Sequence, residues 1–167
     1  MCINTDGSEK PLPILSDSRK QLSYNGVSLV YYDGLAHVYK RSIPYLIENE
    51  LSFYLALHSS GYVPIAKRYD KYTLEIQWLG KSETISEPAL FIEHCRKILH
   101  IMEGREIRHG DITIYAIIVK ANRPYFIDWA ESRWAHDPAP DKRPEGDRYW
   151  LNKTIQEMTG YEDQIAQ

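Results

Sequence analysis

An α+β fold is predicted, with a five-stranded antiparallel sheet and one helix in the first half and a short, mostly helical second half. Three observations predict it. Asn25-Gly26 and Asp33-Gly34 separate β-rich runs, and these dipeptides tolerate the positive φ of tight hairpin turns. Apolar residues recur at helical spacing in two long stretches, 44–58 and 87–103. Two acidic residues, Asp111 and Asp128, flank a short hairpin pattern. The 167 residues suffice for one compact domain or two small lobes sharing a cleft.

Residues 1–18 are polar, broken by Pro11 and Pro13, and read as a flexible arm. Strands are expected at Gln21–Tyr24, Val27–Tyr32 and Leu35–Lys40, forming a meander. A helix from Pro44 to His58 follows, with Ser42 as its N-cap, Pro44 in its first turn and an apolar face of Leu46, Leu51, Phe53, Tyr54 and Leu57. Ser59-Ser60-Gly61 stops it, and Ile65–Tyr69 and Tyr72–Trp78 supply two more strands. Leu79-Gly80-Lys81-Ser82 reads as a hinge, dividing the chain into residues 1–80 and 81–167. Ser86 is the expected N-cap of a helix from Glu87 to Glu103, with Gly104 as its C′ residue. Beyond it lie a strand at Ile117–Val119, a turn at Asn122–Pro124, a strand at Tyr125–Asp128, and a loop over Asp137–Arg143. A last helix from Pro144 to Met158 is closed by Gly160.

Composition excludes several classes. With 43% hydrophobic and 26% charged residues, the chain is too apolar for disorder and too interrupted by charge for a membrane span. The formal net charge of −3 gives no global bias toward nucleic acid. Cys2 and Cys95, far apart, argue against a disulfide scaffold or structural zinc site. The N-terminal residues have no apolar run after basic ones, so a cytoplasmic location is expected. His94, Cys95 and His100 lie on one helical stretch without a tetrahedral ligand pattern.

The chemistry concentrates in residues 108–132, RHGDITIYAIIVKANRPYFIDWAES. A carboxylate on a loop and a second at a strand end suit phosphoryl transfer, where one orients the attacking hydroxyl and the other holds Mg²⁺. Residues 109–128 resemble the catalytic and metal-binding segments of the protein-kinase-like superfamily. The Asp111-Ile112-Thr113-Ile114-Tyr115 run followed by Ile-Ile-Val is most similar to the small atypical RIO kinases and the kinase subunit of the KEOPS complex. The resemblance implies a minimal two-lobed protein-kinase-like fold, with an N-lobe over residues 1–80 and a reduced C-lobe carrying the catalytic loop and metal-binding hairpin. It implies that Asp111 is the catalytic Asp, facing the acceptor hydroxyl, and that Asp128 is the magnesium Asp of a DFG-like turn, here Asp128-Trp129-Ala130. Val38-Tyr39-Lys40 resembles the strand carrying the phosphate lysine, making Lys40 that residue. Glu50 is its expected partner on the following helix, with Glu48 as a rival. Asn25-Gly26 occupies the place of the phosphate loop, without a GxGxxG pattern. His109 and Asp147 are expected to support the catalytic loop.

One position departs from the family. The metal-binding asparagine five residues after the catalytic Asp is replaced by Ala116, whose methyl offers no oxygen. The chain is then a disabled kinase altered at one codon or a natural pseudokinase, and the intact pattern around Asp111 and Asp128 favours the first. The implied activity is an ATP- and Mg²⁺-dependent phosphotransferase, with Mn²⁺ as an alternative metal and a protein Ser/Thr, or an RNA hydroxyl, as acceptor. Two alternatives are a nucleotide-binding pseudokinase acting as a scaffold, and a metal-dependent nuclease using Asp111, Asp128 and Glu131. Tyr31, Tyr32 and Trp134 read as packing residues rather than a base-stacking platform.

Overall fold

The computed structural model describes residues 20–24, 28–138 and 143–161. The arm at 1–18, with Cys2, and the turn residues Asn25 and Gly26 lie outside the described residues. The described residues form an α+β structure, with a small antiparallel sheet and three α-helices among them. The sheet has the order β1-β2-β3-β5-β4, from strands β1 (Lys20–Tyr24), β2 (Leu29–Tyr32), β3 (His37–Arg41), β4 (Ala66–Asp70) and β5 (Thr73–Gln77). β2 to β5 form its body, and β1 pairs along the β2 edge.

The β2–β3 hairpin is closed by Asp33. Its Oδ1 accepts from the backbone N–H groups of Leu35, Ala36 and His37 at 2.8, 3.0 and 3.1 Å, the local bonding that makes Asp a turn residue. Register then places Val38 opposite Ile76 and Lys40 opposite Leu74.

Helix α1 spans Pro44–Leu57, with Ile43 as N-cap and no side-chain cap. The expected cap, Ser42, is buried and bonds instead to Ser28, whose Oγ donates to Ser42 Oγ at 2.9 Å. Pro44 at the first turn makes a side-chain cap less needed, because proline has no N–H to satisfy. Helix α2 spans Pro88–Gly104 and buries Phe91, Ile92, Cys95, Ile98, Leu99 and Met102. Two expectations shift here. Glu87 takes the N-cap place, because Ser86 N and Oγ both donate to Asn122 Oδ1. Gly104 is the last helical residue, and the left-handed residue is Glu106, φ 56°.

The second half adds two small ribbons. Strand β6 (Ile107–Arg108) pairs with β9 (Arg133–Trp134), a ribbon too short for periodicity to reveal. Strands β7 (Ile117–Lys120) and β8 (Arg123–Phe126) pair around Ala121 and Asn122, both at positive φ (47° and 60°). The turn therefore sits earlier than Asn122–Pro124, and β8 starts at Arg123. Pro124 is tolerated opposite Val119 because this pair falls at a position where the ribbon needs no N–H from it. Helix α3 (Gly146–Thr159) ends at Gly160, φ 71°, as the glycine predicts.

One apolar core joins Ile47, Phe53 and Leu74 of the first half to Phe91, Phe126, Trp129 and Ile155 of the second. The architecture is compatible with a small two-lobed domain whose halves share that core. Among the described residues, no helix is long and apolar enough to cross a membrane.

Candidate functional site

Lys40 is the centre of the site. As a residue of β3 its side chain turns to the inner face of the sheet, where it is buried (7% exposed). Its Nζ lies 2.7 Å from Glu50 Oε2 on α1 and 2.6 Å from Asp128 Oδ1 just beyond β8. Burial opposes charge on the ammonium, but two carboxylates outweigh it and raise the Lys40 pKa. Glu50, 1% exposed, shares that one cation with Asp128. Burial pushes its carboxyl up more than Lys40 pulls it down. The rival Glu48 is 60% exposed and pairs with Arg68, so Glu50 is the residue on the lysine.

Asp128 is held in the left-handed region, φ 63° and ψ 59°, a conformation that Asp enters more readily than most residues. Its side chain is 62% exposed, the most open of the three charged groups. Two residues of α1 fix the segment around it. Asn49 Nδ2 donates to the carbonyls of Ala130 and Ser132 at 3.2 and 3.0 Å. Tyr54, one turn beyond Glu50, accepts the Asp128 N–H at 3.4 Å through its hydroxyl. Burial and the neighbouring Glu50 charge raise the Tyr54 pKa well above the ordinary tyrosine value, so this hydroxyl stays protonated.

The triad forms one wall of a cavity of about 360 Å³. Val30, Val38 and Ile76 of the sheet line it together with Trp78, Leu79, Ile118 and Ile127. An apolar slot with a few convergent charges is the usual make-up of a small-molecule site.

His109-Gly110-Asp111 is organised by Asp147 in the first turn of α3. The Asp147 carboxylate accepts from the N–H groups of His109 (2.6 Å) and Gly110 (2.9 Å), one on each oxygen. His109 is fully buried and packs against Trp129 with its ring tilted by 52°, ring centroids 4.4 Å apart. Its Nε2 lies 3.0 Å from the Ile127 carbonyl, which makes Nε2 the protonated nitrogen of the neutral ring, and burial lowers its pKa. The ring thus joins the loop of Asp111 to the residue before Asp128. Gly110, φ 79°, is required: a Cβ there would stand 2.9 Å from the Glu131 carbonyl oxygen.

Asp111 is not among the residues lining the cavity. Arg143 Nε, from the approach to α3, lies 2.7 Å from its Oδ1. Ala116 is the buried last residue of a short 3-10 turn, Ile114–Ala116, that leads directly into β7. Its N–H donates to the Thr113 carbonyl (3.0 Å), and its carbonyl accepts from Ile127 (2.9 Å). Its methyl brings no donor atom to the site.

The structure therefore brings Lys40, Glu50 and Asp128 together and ties His109 and Asp147 to the loop of Asp111. Asn25 and Gly26 lie outside the described residues. Among the described residues no three His, Cys, Asp or Glu side chains form a metal-holding group, so Asp111, Asp128 and Glu131 do not converge as a nuclease cluster. On α2, His94 Nδ1 lies 2.8 Å from the Tyr62 hydroxyl, and Cys95 is buried with its thiol pushed far up. Trp134 packs on Phe53, centroids 5.2 Å apart. Sequence reasoning missed Asn49, Tyr54 as a site residue, and Arg143. Only Tyr54 carried a signal, its i+4 spacing from Glu50. No protein-family model and no curated protein matches the chain.

Proposed function

We propose that this chain is an ATP-dependent phosphotransferase of the atypical, RIO-like kinase class, cytoplasmic and weakened by Ala116. The observation that carries the reading is Lys40 held between Glu50 and Asp128 on the wall of an apolar cavity. A nucleotide needs a flat apolar slot for its base, a fixed cation for its phosphates and an open carboxylate for its metal. The residues present fit those needs. Val30, Val38, Ile76 and Ile118 line the slot, Lys40 supplies the cation, and Asp128 presents the more exposed carboxylate.

In this reading Glu50 keeps Lys40 aimed at the phosphates, and Tyr54 and Asn49 hold the Asp128 turn. Asp128 would hold the magnesium ion, which when bound neutralises phosphate charge. Asp111 would take the proton of the acceptor hydroxyl, on a protein Ser or Thr or on RNA. Position 116 contributes no second metal ligand, which is the reason for expecting weak turnover.

The second reading, a nucleotide-binding pseudokinase, is favoured by one pair of observations: the methyl at 116 and the Arg143 guanidinium on Asp111. Transfer of ³²P from γ-labelled ATP separates the two. The wild type and Ala116→Asn are compared with Mg²⁺ and with Mn²⁺, on the chain itself and on protein and RNA acceptors. Transfer that appears or rises in the Asn form supports the kinase. ATP binding with no transfer in either form supports the pseudokinase, and no ATP binding in either refutes both.

A further inference from the structure

We propose that Arg143 is a positioning residue acting through Asp111: it pins the acceptor-side carboxylate in a resting arrangement that opens before an acceptor is used. The inference rests on the kinase-like reading of Asp111 and extends it to regulation of the same site.

Arg143 is held from two sides. Its Nε lies 2.7 Å from Asp111 Oδ1, and the two side chains are only 24% and 26% exposed. Its Cζ stands 4.1 Å from the centre of the Trp150 ring, within cation–π range. The Trp150 indole in turn donates to Glu145 at 3.1 Å, and the Arg143 carbonyl accepts from Gly146 at 3.1 Å, anchoring the arginine to the start of α3. The ion pair has a direct consequence for Asp111. Oδ1 is shut off from solvent, and a charged donor lies at hydrogen-bonding distance from it. A carboxylate that accepts a proton from a hydroxyl must bring an oxygen within about 3 Å of it; the guanidinium takes Oδ1 from that task and fixes the orientation in which Oδ2 is presented. The pin sits on the acceptor carboxylate alone. Lys40, Glu50 and Asp128 line the cavity, whereas Asp111 and Arg143 do not. Nucleotide binding and acceptor use are thereby separated between two groups of residues.

An arginine beside the catalytic loop has an opposite use, as a cation that stabilises charge on the transferring phosphoryl group. The two roles differ in sign. Removing a pin speeds transfer, and removing a stabilising cation slows it.

The test uses the full chain, in the wild type and in the Ala116→Asn background, with Arg143→Ala and with Trp150→Leu, which keeps the arginine but removes its aromatic backing. Three quantities are read: ATP affinity, ³²P transfer at saturating ATP, and the rate at which a carbodiimide and an amine modify Asp111, mapped by mass spectrometry. Arg143→Ala is expected to raise both modification and transfer roughly fivefold, the scale on which a partly exposed ion pair holds a population, with ATP affinity unchanged. Trp150→Leu shifts both the same way by less. Unchanged Asp111 modification overturns the pin. Faster modification with slower transfer also overturns it and assigns Arg143 to charge stabilisation. Absence of ATP binding in every form, wild type included, refutes the kinase reading instead, while the modification rates still report on the ion pair.

Discussion

Lys40→Met isolates the charge balance of the site. The substitution keeps the length of the stem and removes the ammonium that lies 2.7 Å from Glu50 and 2.6 Å from Asp128. Asp128, 62% exposed, can turn toward water at little cost. Glu50, 1% exposed, cannot, and its cheapest response is to take up a proton. The cost of protonating a carboxylate of ordinary pKa (about 4.3) at pH 7 is roughly 2.7 units at 1.36 kcal/mol each, or ~3.7 kcal/mol, and at pH 5 it is ~1 kcal/mol. The destabilisation relative to wild type is therefore expected to reach up to ~3.7 kcal/mol at pH 7 and to shrink to ~1 kcal/mol at pH 5. The sign follows from linkage. In the variant the folded-state pKa of Glu50 is raised further, so its contribution is fully present below the unfolded pKa and is lost as pH rises. In the wild type Lys40 has a raised pKa, so its own contribution is full below about pH 10.4 and does not vary in this window. Urea unfolding of both proteins at several pH values between 5 and 7 measures the difference. The double variant Lys40→Met/Glu50→Gln removes both charges and is expected to recover to within ~1 kcal/mol of wild type, as neutral replacements of buried pairs often do. A deficit that does not change with pH, or a double variant no better than the single one, refutes the reasoning.

Asp147→Ala leaves the N–H groups of His109 and Gly110 without the carboxylate that holds them at 2.6 and 2.9 Å. A loss of about 3 kcal/mol in chemical unfolding is expected, together with faster amide exchange at residues 109–111. His109 has a pKa lowered by burial, so the stability it contributes is present above about pH 6.5 and is lost as pH falls through its folded pKa. His109→Gln is expected to remove up to about 1.4 kcal/mol per pH unit of that slope, read as a flatter melting temperature against pH below 6.5.

Much of this fold was legible because its signals are local. Asp33-Gly34 marks a hairpin whose carboxylate does the closing, and the apolar residues of α2 are buried where their spacing puts them. What failed was also local, but decided by distant partners. Ser42 and Ser86 look like caps, yet Ser28 and Asn122 claim their side chains. The β6–β9 ribbon, two residues on each strand, is formed by pairing across a gap that no periodicity spans. In the site, Lys40, Glu50 and Asp128 were readable as residue types in a pattern, and the structure brings them within ion-pair distance. Asn49 was not readable, because its two bonds reach carbonyls 81 and 83 residues away. Arg143 was not either: an arginine in a polar loop looks solvated until α3 folds and lays it between Trp150 and Asp111.

The central claim is that the cavity beside Lys40 binds an adenine nucleotide. Methyl NMR of the wild-type chain titrated with ATP and Mg²⁺ tests it most directly, since Val30, Val38, Ile76 and Ile118 line the slot and each carries a methyl reporter. The account predicts saturable shifts at these methyls, with Ile155, on the buried face of α3, unmoved. Saturating ATP that leaves all four unshifted, or that shifts only residues elsewhere on the surface, contradicts it.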